Sequence, residues 1–245
     1  MEKEYRPVIG IPGVPVDDQE KLSVIALYDD YRKMIMAKKC IPFMIPPYKD
    51  INYYHTDLNE IEELTEEEIN LYKEMVDMCD GIIIPGGYRM YNFQNFIINY
   101  AIEKDIPILG TCLGMQILAN MDNMESSLKE DETGKHRQRG IDYVHNVSIV
   151  PNTLLNEIIG EKEIPVNSVH KYYVSKVKNL IVSAYSDDGL IEAVEMPNKR
   201  FVVGVQWHPE KMFRYDMNAN KLLDSFIKEC KKQKYEKENA FSKQV

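Results

Sequence analysis

The chain has 245 residues, 44% hydrophobic and 28% charged, enough for a full apolar core and too mixed for a disordered or disulfide-held scaffold. A formal charge of −9 opposes the clustered cations that nucleic acid or an anionic membrane surface demands, so neither is expected as a partner. The opening residues lack the apolar core of a signal peptide and no apolar run approaches bilayer length, which makes the cytoplasm the expected location.

The first pattern, Arg6 to Pro12, is a short apolar run bounded by Pro and Gly, as a buried strand requires. Leu27, Tyr31, Met34 and Ile35 then recur on one helical face, and Pro42 is expected to stop that helix before a strand over Phe43 to Ile45. An acidic stretch from Asn59 to Glu68 reads as a solvated face, and Thr65 followed by Glu68 has the capping-box spacing that starts a helix ending near Cys79. Gly81 to Ile84 gives another buried strand, which runs into Pro85-Gly86-Gly87. Phe93, Phe96, Ile97, Tyr100 and Ala101 form a helical stripe, followed by a strand over Ile106 to Gly110. This alternation predicts an α/β fold with a parallel sheet covered on both faces.

Beyond Asn120 the polar segment around Glu130 to Gly140 reads as a loop. Shorter β-like runs follow at Val144 to Val150, Leu180 to Ala184, Leu190 to Glu195 and Phe201 to Gln206, a smaller antiparallel β portion. A last helix carries Leu222, Leu223, Phe226, Ile227 and Cys230. No repeat or linker interrupts the chain, so a single domain is expected over residues 6–230, with a charged tail at 231–245 that frays.

Three segments carry chemistry. Gly110-Thr111-Cys112-Leu113-Gly114 lies between an apolar strand and a helical pattern, the form of a nucleophile elbow, with glycines two residues to either side where backbone must pass closely. A helix N-terminus behind Cys112 favours thiolate over thiol. Downstream, a strand exits at Trp207-His208-Pro209-Glu210, where His208 can act as base and Glu210 as its orienter. The third is Pro85-Gly86-Gly87, whose backbone N–H groups can join that of Leu113 in an oxyanion hole.

The other cysteines, Cys40, Cys79 and Cys230, are far apart and without a C-x-x-C pair, so they read as packed side chains. His55, His136 and His145 show no ligand spacing, which speaks against a metal. Trp207 reads as packing beneath the site.

In this order the three segments, with Met115 and Gln116 after the elbow and Val205-Gln206 before Trp207, resemble the class I glutamine amidotransferases. Arg6-Pro7-Val8-Ile9-Gly10-Ile11, Val166-Asn167-Ser168-Val169-His170 and Asp188-Gly189-Leu190-Ile191-Glu192-Ala193 are similar to the γ-glutamyl-γ-aminobutyrate hydrolase (peptidase C26) branch, and the likeness runs from about Arg6 to Phe226. The resemblance implies a flavodoxin-like core, with Cys112 as nucleophile, His208 as base and acid, and Glu210 as orienter. It also implies oxyanion donors at Gly87 and Leu113, substrate contacts from Gly86, Gln116, Ser168 and His170, and no metal or organic cofactor.

Hydrolases of that branch usually carry Arg after the nucleophile and a Gly-Gly stretch after the elbow helix. Here Cys112-Leu113-Gly114 and Asn120-Met121-Asp122-Asn123 stand instead, and Cys-Leu-Gly-Met-Gln is closer to ammonia-donating subunits. The acidic insertion around residues 57–68 is atypical and is a candidate for covering the cleft or facing a partner. Three readings stay open: a free-standing hydrolase of γ-glutamyl amines or peptides, a glutaminase subunit feeding ammonia to a synthetase, and a non-catalytic regulatory relative. The partners implied are a small γ-glutamyl substrate and either a second copy of the chain, as a homodimer, or a synthetase.

Overall fold

The computed structural model describes residues 6–17, 23–48, 63–88, 91–121 and 128–242. Residues 57–62 of the acidic insertion, as well as His55, Asp122 and Asn123, lie outside them. The first half alternates strand and helix: β1 (Val8–Pro12), β2 (Val14–Asp17), β3 (Ser23–Ala26), α1 (Asp29–Ala37), β4 (Ile41–Ile45), α2 (Glu66–Asp77), β5 (Gly81–Ile84), α3 (Asn92–Glu103), β6 (Ile108–Thr111) and α4 (Leu113–Asn120). The second half is richer in strands: β7 (Leu128–Glu130), β8 (His145–Ile149), α5 (Leu154–Ile159), β9 (Glu163–Val166), β10 (Tyr172–Val174), β11 (Ile181–Ser186), β12 (Ile191–Glu195), β13 (Val202–Val205), α6 (Pro209–Met212) and α7 (Met217–Ser242).

One large sheet joins the halves in the order β4-β1-β5-β6-β13-β12-β11-β8-β9, with β10 beside β12 and β7. From β4 to β13 the pairs are parallel, and from β13 to β9 they are antiparallel. This is a flavodoxin-like α/β core with an antiparallel extension. Residue alternation explains why helices cover both faces of the parallel part. Ile83, Leu109, Val203 and Val205 pack with Tyr31, Met34 and Ile35 of α1 and Leu222 and Phe226 of α7. Their neighbours Ile82, Ile84, Ile108 and Val202 pack on the opposite side with Tyr72 and Val76 of α2 and Phe93 and Ile97 of α3. Each such side chain removed from water contributes roughly 1.5–3 kcal/mol.

Local signals act where expected. Thr65 and Glu68 form a capping box, with Glu68 N–H on Thr65 Oγ1 and Thr65 N–H on Glu68 Oε2. Pro42, expected to precede a strand, lies inside β4; that strand is at the sheet edge, where a missing N–H is tolerated. The small β2–β3 hairpin, β7, β9, β10, α5 and α6 carry no sequence pattern strong enough to read alone. The tail does not fray as expected, because α7 continues to Ser242. Lys237 Nζ donates to Asp77 O at 3.0 Å and to Cys79 O, carbonyls at the C-terminal end of α2, while Lys234 lies 3.4 Å from Asp80.

No helix among the described residues is long and apolar enough to cross a membrane.

Candidate active site

The parallel strands β5, β6 and β13 end side by side, and each delivers one part of a site. Cys112 follows β6 and is the N-cap of α4, with φ 51° and ψ −106°. A non-glycine residue in this region carries about 1–3 kcal/mol of strain, accepted only where the surroundings fix it. Here they do: Cys112 N–H donates to Val205 O at 2.8 Å, and Gln116 N–H donates to Cys112 O at 3.1 Å. The flanking glycines are required by contact. A Cβ on Gly114 would stand 2.1 Å from Ile84 O, and one on Gly110 would stand 2.8 Å from the Gly114 backbone.

His208 leaves β13 at the same level. Asn167 fixes its backbone from both sides, accepting from His208 N–H at 2.8 Å and donating to His208 O at 3.0 Å. Its Nδ1 is 2.6 Å from Glu210 Oε1 in the first turn of α6, and the ring also hydrogen-bonds Cys112. Burial alone pulls the imidazolium pKa down, but the charges of Glu210 and Cys112 outweigh it and raise His208 from 6.5 to about 10. The ring therefore holds its proton at neutral pH, facing the sulfur.

Gly86 and Gly87 close the third side. A Cβ on Gly86 would meet His208 Cε1 at 2.8 Å and Cys112 Cβ at 3.4 Å, so the turn touches both residues. A Cβ on Gly87 would be 3.1 Å from Leu113 Cδ2. Leu113 opens α4, so its N–H has no intrahelical acceptor.

Tyr31 belongs to this arrangement although its sequence position marks only an apolar helical face. Its buried hydroxyl accepts from Gly86 N–H at 2.8 Å and shares a short hydrogen bond with Thr111 Oγ1. Burial, then the nearby Glu210 charge, holds its pKa well above the ordinary value, so it remains a neutral phenol joining the glycine turn to the residue before Cys112. Nothing in the sequence distinguishes this tyrosine from its packed neighbours.

The expected substrate residues separate into two groups. Gln116 lies one turn beyond Cys112, and its Nε2 donates to Tyr172 O at 2.7 Å and Gln206 Oε1 at 3.1 Å. Ser168 and His170 point to a different centre. Ser168 Oγ donates to His136 O, and the His170 ring contacts Glu192 and stacks at a tilt on His136. Both are almost completely buried there, within the antiparallel part.

The same centre gathers histidines that show no ligand spacing along the chain. His136, His145, His170 and Glu192 bring one ligand-type atom each to within 4.8 Å of one another, although 56 positions separate the first from the last. Cys40, Cys79 and Cys230 are free and buried, as packed side chains should be; burial pushes the first two up to about 11 and about 12. Trp207 is buried in the core.

Comparison with known proteins agrees with this layout. The Peptidase C26 family model matches residues 91–210. A glutamine amidotransferase-like protein of Rickettsia prowazekii is 27% identical over 276 residues, covering 84% of this chain and 91% of that protein. The CTP synthase of Staphylococcus carnosus is 29% identical over 88% of this chain, which spans only 44% of that enzyme. The acivicin-bound glutaminase domain of Trypanosoma brucei CTP synthase superposes with a TM-score of 0.62 over 92% of this chain and 94% of that one, at 21% identity, and shares the fold. In motif order and sheet topology the chain is similar to the class I glutamine amidotransferase-like proteins.

Proposed function

We propose that the protein hydrolyses a γ-glutamyl amide through a thioester on Cys112. The observation that carries this reading is the buried contact of Cys112, held at positive φ, with a His208 ring whose other side is 2.6 Å from Glu210. The Cys112 thiolate attacks the γ-carbonyl carbon, and the oxyanion is held by the N–H groups of Gly87 and Leu113. His208 gives its proton to the departing amine as the C–N bond breaks, leaving a γ-glutamyl thioester. A water that loses its proton to His208 then attacks, releasing glutamate and restoring the thiolate and imidazolium. Glu210 holds the imidazole orientation and stabilises its charged form. Gly86 and the free amide oxygen of Gln116 are assigned to the substrate's amino-acid end. Ser168 and His170 are not.

A second reading has its own support: the ammonia-donating subunit, favoured by Cys112-Leu113-Gly114-Met115-Gln116 and by relatives that are CTP synthases. Here glutamine is the substrate, ammonia the leaving group and a synthetase the partner. The two are separated by presenting the purified chain with glutamine and a panel of γ-glutamyl amines and peptides, following glutamate release with Cys112→Ala as control. Release from one γ-glutamyl amine by the chain alone favours the hydrolase. Glutamine cleavage that needs a synthetase favours the subunit, and turnover retained by Cys112→Ala overturns both.

A further inference from the structure

We propose that His136, His145, His170 and Glu192 form a four-coordinate site for a divalent transition-metal ion, with zinc the ion best matched to the donors. The converging atoms are His136 Nδ1, His145 Nε2, His170 Nε2 and Glu192 Oε1. Their separations are 3.2 Å between the first two nitrogens, and 3.7, 3.7 and 3.4 Å from His136, His145 and His170 to the carboxylate oxygen. Zinc bonds of about 2.0–2.2 Å in a tetrahedron place ligand atoms roughly 3.3–3.6 Å apart. The four measured edges bracket that spacing.

The outward side of each ring supplies the second observation. His136 Nε2 lies 3.1 Å from Asp188 Oδ2, His145 Nδ1 lies 3.0 Å from Asn146 O, and His170 Nδ1 lies 3.1 Å from Tyr172 O. Every one of these partners accepts, so each outer nitrogen carries a hydrogen, and a ring with that single hydrogen turns its lone pair inward. Three lone pairs thus face a carboxylate. Among the described residues, His170 Nε2 and both oxygens of Glu192 are fully buried with no hydrogen-bond partner. Buried acceptors facing one another are costly unless a cation lies between them. Outer hydrogen bonds from ligand histidines to a carboxylate and to backbone carbonyls are also the usual support of a metal centre.

The donor set narrows the ion. Three imidazoles and one carboxylate disfavour magnesium and calcium, which prefer oxygen ligands, and a closed four-ligand arrangement suits zinc in a structural role. One carboxylate leaves a single positive charge on the centre, which Asp188 behind His136 offsets. The site is distinct from the Cys112 centre. It reaches that centre through the segment carrying His170, which also carries Asn167, the residue that clamps His208.

The test uses the full chain carrying Cys112→Ser, so that the elbow thiol cannot bind metal. After exhaustive dialysis against a chelator, Zn²⁺ is titrated in competition with a chromophoric chelator, and Co²⁺ is added in parallel for its visible spectrum. The expected result is one equivalent of Zn²⁺, nitrogen- and oxygen-type tetrahedral Co²⁺ bands, and a raised melting temperature. Glu192→Gln should abolish binding, and Asp188→Asn should weaken it by about 10–100-fold. Asp188 is half-exposed, so that variant keeps the test valid if Glu192→Gln fails to fold. Uptake below about a tenth of an equivalent, or an affinity unchanged by Asp188→Asn, overturns the proposal; the former result would mean that protons hold the cluster together. Neither readout depends on turnover.

Discussion

The molecule contains two buried histidine–glutamate centres built on opposite principles. At the Cys112 centre His208 and Glu210 are 2.6 Å apart, the distance of a charge-assisted hydrogen bond, and the pair comes from residues two positions apart. At the other centre no histidine comes closer to Glu192 than 3.4 Å, and its ligands come from β8, β12 and the loops around His136 and His170. The first spacing suits moving a proton; the second suits holding an ion. Thus the same two residue types take different chemistry from a difference of about 1 Å.

The largest effect expected from separating the centres follows Cys112→Ala. Turnover of any γ-glutamyl substrate should fall by on the order of 10⁴-fold or more, while zinc uptake stays at its wild-type stoichiometry. Glutamate release and metal content measured on one preparation decide it.

Glu210→Gln should come next, lowering kcat by on the order of 10²–10⁴-fold because the imidazole loses its orienter and its charge partner. The pH dependence gives the sign. Burial lowers the His208 pKa, Glu210 and Cys112 raise it further than burial lowers it, and the net value is about 10 against 6.5 when exposed. The stabilisation from this group is therefore complete below about pH 6.5 and is lost as pH rises through about 10. The alkaline limb of kcat/KM should lie near that upper value in the wild type and move to lower pH in Glu210→Gln. A limb that does not move would separate the proton on His208 from the Glu210 charge.

The two centres also differ in how far the sequence discloses them. Cys112 is legible because strand, glycine, nucleophile, glycine and helix are contiguous, and His208 and Glu210 because they share one strand exit. The parallel part is legible for the same reason: buried runs such as Gly81 to Ile84 and capping signals such as Thr65 with Glu68 are local. Tyr31 is hidden, since its role depends on Gly86 and Thr111, 55 and 80 positions away. His136, His145, His170 and Glu192 are hidden more completely, because only the antiparallel pairing of β8, β11 and β12 brings them together. A search for ligand spacing along the chain cannot find a site assembled across a sheet. The helical tail is a smaller case, set by carbonyls of α2 that Lys237 reaches across the fold.

Asn167→Ala tests the connection between the centres. Asn167 is buried, and its loss leaves His208 N–H unpaired, at about 1–3 kcal/mol, while His208 O keeps the N–H of Lys211. With His208 less firmly placed, kcat should fall by on the order of 10–10²-fold with little change in KM, and zinc stoichiometry should persist because no ligand is removed. Loss of metal together with activity would show instead that the segment from Asn167 to His170 folds as one unit with the ion.

Tyr31→Phe should have the smallest effect and probes the opposite condition from Glu192. Glu192 has buried oxygens without hydrogen-bond partners among the described residues, whereas the Tyr31 hydroxyl both accepts from Gly86 N–H and bonds Thr111. Removing it keeps the ring in its place in the core and leaves Gly86 N–H without its acceptor, which should lower stability by about 1–3 kcal/mol in denaturant unfolding. Because Gly86 packs on both Cys112 and His208, the loosened turn should also reduce kcat by roughly 10-fold, leaving KM and the alkaline limb unchanged since Glu210 still faces His208. If kcat holds while stability falls, the hydroxyl serves the fold alone and the glycine turn is held by its backbone.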